Sequence, residues 1–271
     1  MAVNGPDEAF PEPDDPVALQ DTAHRRILRI GNTVHRPVHP WSSSVHELLS
    51  HLASAGFDEA PRYLGQDSDG LEVLSYLPGD SGAAGWPRVV AEEGLAAMAR
   101  LLRRYHDLVA GFRPDAVAGW AWHPGPVRSG EIVCHGDFGP WNLVWRGTEP
   151  VGVLDWDYAW PHPPMHDLCY ALEYVVPFRA DSECLRWLSY TEPPNRRRRL
   201  ELFVAAYGWP ASPGFVDELV EGVIAQQRQV RDRSAGLAAA GLQPQASWFT
   251  SGYLSELDAR IRWSEAHRSL I

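Results

Sequence analysis

The stretch between Glu131 and Asp157 constrains this chain more than any other. Short apolar runs at 131–135, 143–146 and 151–155 are too brief for helices, and Gly, Pro and Asn punctuate them, so they read as strands. The first leads into Cys134-His135-Gly136-Asp137-Phe138-Gly139-Pro140-Trp141-Asn142, and the last ends in Leu154-Asp155-Trp156-Asp157. Asp137 and Asp155 each follow an apolar run, so their carboxylates are expected to project from strand ends into one crevice. Helical spacing resumes beyond the ribbon, so a fold that fits must carry a small polar strand element among helices.

The rest of the chain divides around that ribbon. Residues 1–16 are acidic and Pro-rich and read as a disordered tail. Residues 17–76 form a small β-rich lobe. In it, HRRILRI (24–30) and TVHRPV (33–38) flank Gly31-Asn32, a hairpin signal. Val45, Leu48, Leu49 and Leu52 follow at helical spacing, and strands are expected near Arg62–Leu64 and Leu71–Tyr76. The Gly- and Pro-rich 77–87 reads as a hinge. Residues 88–271 form a mainly helical lobe, with helices expected over 88–110, 165–176, 196–207, 214–232 and 247–268. The fold class is α+β, in two lobes.

Phosphoryl transfer needs a carboxylate to orient the acceptor hydroxyl and take its proton. It also needs an amide oxygen and a second carboxylate to hold Mg²⁺ against the phosphates. Asp137, Asn142 and Asp155 supply these parts in that order. His135 reads as a loop-holding residue rather than a proton carrier, and Asp157 as either a second neighbour of the metal or a helix cap. The 24 basic residues are all arginine. Without lysine there is no Schiff-base chemistry and no Walker-type phosphate loop, so a protein cation on a phosphate must be Arg or His.

His135-x-Asp137-x-x-x-x-Asn142, followed by an Asp ending an apolar strand, resembles the kinase-like folds. The wording HGDFGPWN and VLDWD is similar to the aminoglycoside-phosphotransferase branch, over roughly residues 20–260. The resemblance implies a protein-kinase-like fold that uses ATP or GTP with Mg²⁺, Asp137 as base, and Asn142 and Asp155 as metal ligands. Leu74–Gly79 is similar to the hinge that contacts adenine through its backbone, which implicates Ser75, Tyr76 and Leu77. Leu101–His106 is like the helix before the catalytic loop, and Asp167 matches the aspartate that braces that loop. The strand expected to carry Lys reads Thr33-Val34-His35-Arg36-Pro37, which makes Arg36 the natural substitute; Glu47 is near the position of the helix Glu that usually pairs with that Lys, but the Leu48/Leu49/Leu52 phase puts Val45 or His46 closer to it. The rival reading is a pseudokinase that keeps the fold as a ligand-binding module.

The formal charge of -11 disfavours nucleic acid. It fits a cationic or neutral small substrate better: a small hydroxylated acceptor, with or without amino groups. Trp248, Phe249, Tyr253 and Trp263, with Asp217, Glu218, Glu221, Glu256 and Asp258, are expected either to line that acceptor site or to belong to ordinary amphipathic helices. No apolar run is long enough for a membrane span and the N-terminus does not read as a signal peptide, so the expected compartment is the cytoplasm. Cys134, Cys169 and Cys184 are expected to be buried thiols, and Arg196–Arg199 to form a solvated face.

Overall fold

The computed structural model describes residues 15–22, 25–114, 119–122, 125–210, 212–241, 243 and 245–270. The expected disordered tail lies almost wholly outside the described residues. Contacts divide the chain into two units, one with the residues up to Val38 and Arg62–Tyr76, the other with His39–Pro61 and Leu77–Ile271.

The first unit is a five-stranded antiparallel sheet in the order β1-β2-β3-β5-β4. Its strands are β1 (Val17–Asp21), β2 (Arg26–Ile30), β3 (Thr33–Arg36), β4 (Tyr63–Gln66) and β5 (Glu72–Ser75). The β2–β3 hairpin turns at Gly31, whose φ of 58° suits a residue without Cβ. β1 was not expected from the sequence; its side chains are exposed throughout, so it carries no strong apolar alternation.

The helix expected in the β-rich lobe, α1 (Ser42–Ser54), groups instead with the second unit. Its apolar stripe of Val45, Leu48, Leu49 and Leu52 is buried, and polar side chains fix it. Ser44 donates to the carbonyl of Gly119, and the His51 ring meets the carbonyl of Leu108 at 3.0 Å and the ring of Phe112 at 4.7 Å.

The second unit is built around α3 (Glu92–Val109), which follows the short α2 (Gly85–Val90). Leu95, Met98, Leu102, Tyr105 and Val109 recur every three to four residues and are fully buried. Each such side chain contributes about 1.5–3 kcal/mol over an exposed position. Strands β6 (Ile132–Cys134), β7 (Leu143–Arg146), β8 (Glu149–Val153) and β9 (Trp160–His162) form two small ribbons, β6 with β9 and β7 with β8. Helices α4 (Met165–Val175), α5 (Asp181–Trp187), α6 (Arg196–Tyr207), α7 (Phe215–Ala239), α8 (Gln245–Thr250) and α9 (Tyr253–Ala266) complete it. Residues 77–87 are less a free linker than their composition suggests. Asp80 exchanges two backbone hydrogen bonds with Trp145, at 3.1 and 2.7 Å, before the chain enters α2.

The basic run 196–199 corrects one expectation. Only Arg197 and Arg198 are exposed, paired with Glu201 and Glu92. Arg196 and Arg199 are buried and donate to main-chain carbonyls. Arg199 reaches Val89 and Val90 at the end of α2 and Val175 at the end of α4. A guanidinium has five donors, and helix C-termini present unsatisfied carbonyls with partial negative charge, so burial there is compensated. The three cysteines are buried free thiols. None of the described helices is long and apolar enough to cross a membrane.

Candidate active site

The chemistry-bearing loop begins where β6 ends. The carboxylate of Asp167, in the first turn of α4, accepts the backbone N–H groups of His135 at 2.7 Å and Gly136 at 2.8 Å. It also meets His106 Nε2 of α3 at 3.1 Å, while His106 Nδ1 lies 2.7 Å from the Tyr207 hydroxyl of α6. Asp167 is fully buried, which alone would raise its pKa. The hydrogen bond and charge of His106, with the nearby His166 and His135, hold it down at about 2. The anchored carboxylate ties the loop to α4 and, through His106, to α3 and α6.

Gly136 is required by geometry. Its φ is +81°, and a Cβ there would stand 2.1 Å from the Tyr158 carbonyl oxygen. His135 is locked on both ring nitrogens. Nδ1 accepts the Asp137 N–H at 3.2 Å, so Nε2 carries the proton and donates to the Leu154 carbonyl at 2.9 Å. Burial lowers its pKa, in keeping with a neutral ring held for structure. Leu154 N–H in turn donates to the Asn142 carbonyl at 2.7 Å, which joins the Asn142 turn to the segment carrying Asp155.

These contacts bring Asp137, Asn142 and Asp155 together within one unit. Asn142 Nδ2 donates to Asp137 Oδ2 at 2.8 Å and to the Asp137 carbonyl at 3.0 Å. The hydroxyl of Tyr170, one turn beyond Asp167 on α4, donates to Asp137 Oδ1. Burial pushes the Asp137 carboxyl up to about 7; the bonds from Tyr170 and Asn142 act against that rise, and the charge of Asp155 adds to it. A carboxylate so placed can accept a proton near neutral pH. Asp155 has φ 58° and ψ 64°, a left-handed conformation that costs a non-glycine residue about 1 kcal/mol or more and is found disproportionately at functional sites. Asp157 is buried in the turn after it, 3.9 Å from His39 Nε2.

Asn142 and Asp155 have the oxygen donors a hard divalent cation takes. With Nδ2 turned to Asp137, Asn142 presents its amide oxygen elsewhere, as a ligand must.

The remaining site residues anticipated from the sequence lie mostly in the sheet unit. Arg36 is buried on β3 and paired through Nε with Glu72, which faces it on β5 and is fully buried. That carboxylate was missed in the sequence, where no partner for Arg36 was assigned and Glu47 was only nearby; an acid inside the apolar run Leu71–Tyr76 was the available signal. Ser75 closes β5, its N–H donating to the Arg62 carbonyl at 2.9 Å. Tyr76 donates its N–H to the Asn32 carbonyl at 2.8 Å and stacks under the Arg29 guanidinium at 3.9 Å. Leu77 begins the second unit's segment and packs over Gly152. Tyr170 was also missed, though its hydroxyl three residues after Asp167 on one helix was visible.

Comparison with known proteins bears on the family and the fold. A family model described as "Phosphotransferase enzyme family" matches residues 110–202, from the end of α3 through the loop to α6. The trifolitoxin immunity protein of Rhizobium leguminosarum bv. trifolii is 32% identical over 214 residues, 76% of this chain and 80% of that protein. A choline/ethanolamine kinase family protein from Mesorhizobium loti aligns with a TM-score of 0.59 at 16% identity, covering 94% of this chain and 91% of that one. The GDP complex of an aminoglycoside 2'-phosphotransferase-IIIa aligns at 0.58 and 16% identity, over 93% of each chain. The loop that Asp167 anchors and the fold that carries it are those of kinase-like enzymes, and the chain belongs to the phosphotransferase enzyme family.

Proposed function

We propose that the protein transfers the terminal phosphoryl group of ATP or GTP to a hydroxyl of a small molecule, with Asp137 as the base. The observation that carries this reading is the state of Asp137. It is half-buried, its carboxyl is pushed up to about 7 by desolvation, and it is held by Asn142 on one oxygen and Tyr170 on the other. An acceptor hydroxyl approaching Oδ1 meets an oriented carboxylate that can take its proton as the new ester bond forms. Asn142 and Asp155 would hold Mg²⁺, which neutralises phosphate charge when bound. Arg36, aligned by Glu72, takes the place of lysine on the phosphates, and the backbone around Ser75, Tyr76 and Leu77 receives the base of the nucleotide.

The relatives bear on the acceptor in a coarse way. One is named for immunity to a toxin, one belongs to the choline/ethanolamine kinase family, and one is an aminoglycoside phosphotransferase. A phosphate placed on a toxic molecule's hydroxyl is a simple route to immunity. The acceptor is therefore taken to be a small hydroxylated compound, an amino group being compatible with the acidic chain.

Calorimetry with ATP and GTP, each with and without Mg²⁺, tests the first half: one nucleotide binds, and Mg²⁺ tightens it. Turnover tests the second. Asp137→Asn should lower it by about 10²–10⁴-fold. Nucleotide binding with equal background phosphate release from wild type and variant would establish a pseudokinase instead.

A further inference from the structure

The arginines of α7 show a contrast. Arg228 pairs with Glu265, and Arg231 with Asp258 at 3.0 Å and Asp232 at 3.2 Å. Arg233, on the same helix, has no hydrogen bond or ion pair with any described residue, in a chain with 35 acidic residues. It lies against two indoles instead. Its Cζ is 4.0 Å from the ring centroid of Trp160 and 5.1 Å from that of Trp122.

Stacking occupies the faces of a guanidinium and leaves its N–H edge, the part that matches a carboxylate bidentately. The side chain is half-buried, so that edge is neither sealed in nor fully hydrated. Burial pulls the group down to about 10, which leaves it charged at neutral pH. His162 and His166 are titratable neighbours, and burial lowers both, His166 to about 3, so they are mainly neutral there and add no second positive charge.

The position is next to the proposed chemistry. The Trp160 ring touches Gly136, the residue before the base, with Trp160 Cδ1 3.3 Å from where a Cβ of Gly136 would lie. Trp122 stacks on Tyr158 at 4.9 Å, and the Tyr158 carbonyl abuts Gly136 from the same side. The aromatic wall therefore runs from Arg233 to the catalytic loop without a break.

We infer that Arg233, held by Trp122 and Trp160, binds a carboxylate of the acceptor, so that the molecule phosphorylated is a hydroxylated carboxylic acid, such as a hydroxyl-bearing amino acid or peptide with a free C-terminus. This rests on the phosphotransferase reading and narrows it. An arginine here favours an acceptor that carries a negative charge over a polycation. A nucleotide phosphate is the other anion that could meet this guanidinium, and the test separates the two.

The full chain is assayed with ATP and GTP against matched pairs: N-acetylserine, N-acetylhomoserine and seryl dipeptides, each as free acid and as amide. Kanamycin and sorbitol serve as carboxylate-free acceptors. Phosphotransfer is read by mass spectrometry, and binding of the acids by quenching of tryptophan fluorescence. At least one acid should exceed its amide by about 10- to 100-fold in kcat/KM, mostly through KM, the range expected for a charge-assisted bidentate contact. Arg233→Gln should erase that preference and the fluorescence response, and Arg233→Lys should retain part of both. Near-UV circular dichroism checks that the indoles remain packed; if the Gln variant does not fold, the Lys variant alone must show the partial loss. Equal use of acids and amides, a preference that survives Arg233→Gln, or better transfer to kanamycin or sorbitol than to every acid overturns the inference. So does a rise in nucleotide KM in place of acceptor KM, or a wild type that neither binds nor phosphorylates any of the acids. Failure of the phosphotransferase reading looks different: no nucleotide binds, while the fluorescence titration still reports on Arg233.

Discussion

Replacing Asp167 with Asn tests whether the catalytic loop hangs on one buried charge. The amide keeps the shape but turns one acceptor into a donor. It cannot accept from the His135 N–H, the Gly136 N–H and His106 together, as the carboxylate does. The depression of its pKa from 3.8 to about 2 corresponds to about 2.5 kcal/mol at 1.36 kcal/mol per unit. The folded value lies below the unfolded one, so this stabilisation is full above about pH 4 and is lost as pH falls through 2. Asp167→Asn should therefore lower Tm by about 5–10 °C at pH 7, taking 2–4 °C per kcal/mol for a chain of this size. The gap to wild type should be constant from pH 8 to about 5, roughly halve near pH 3 and close towards pH 2. Turnover should fall at least about tenfold as the loop drifts, since misplacement of about 1 Å can cost 10²-fold. Scanning calorimetry across pH, paired with turnover at pH 7, reads both. A destabilisation that ignores pH, or lost turnover at unchanged Tm, would refute the anchoring argument.

Two further outcomes follow from the same contacts. Tyr170→Phe removes a donor that favours ionised Asp137, so the base titrates higher: turnover at pH 7 should drop about fivefold and recover by pH 9, for a shift of about one unit. A uniform loss across the pH–rate profile would remove Tyr170 from that role. Arg36→Ala leaves the buried Glu72 without this partner and should cost about 3–5 kcal/mol of stability to urea, relieved in Arg36→Ala/Glu72→Leu, while the nucleotide KM stays high in both; an unchanged KM would place the phosphate cation elsewhere.

Much of this was legible in the sequence because periodicity and turn chemistry agree with packing. The helix expected over 196–207 is α6, and the strand expected over 143–146 is β7. Where packing overrides local pattern, the sequence misled. α1 has an apolar stripe that fits either unit, and only its tertiary contacts assign it to the second. Arg196–Arg199 looks solvated because a run of like charge usually is, and nothing local reveals that two of the four meet the carbonyls of distant elements. At the candidate site, Asp137, Asn142 and Asp155 were singled out because their spacing has a chemical meaning, and the structure brings them together. Tyr170 and Glu72 were not, because their partners lie 33 and 36 residues away and no local rule pairs them.

The fit of Gly136 against the Tyr158 carbonyl separates two kinds of information in the loop. A glycine is demanded there by clearance alone, and His135 and Asp167 by the way the loop is strung, whether or not phosphate ever moves. A chain that had ceased to catalyse would still need them to fold. The lettering that makes the motif easy to spot is thus largely a record of assembly, and its presence says little about turnover. Testimony about turnover comes from the groups that hold no part of the loop in shape, and the proton that Asp137 takes or fails to take is the one to interrogate when a kinase is to be told from its silent twin.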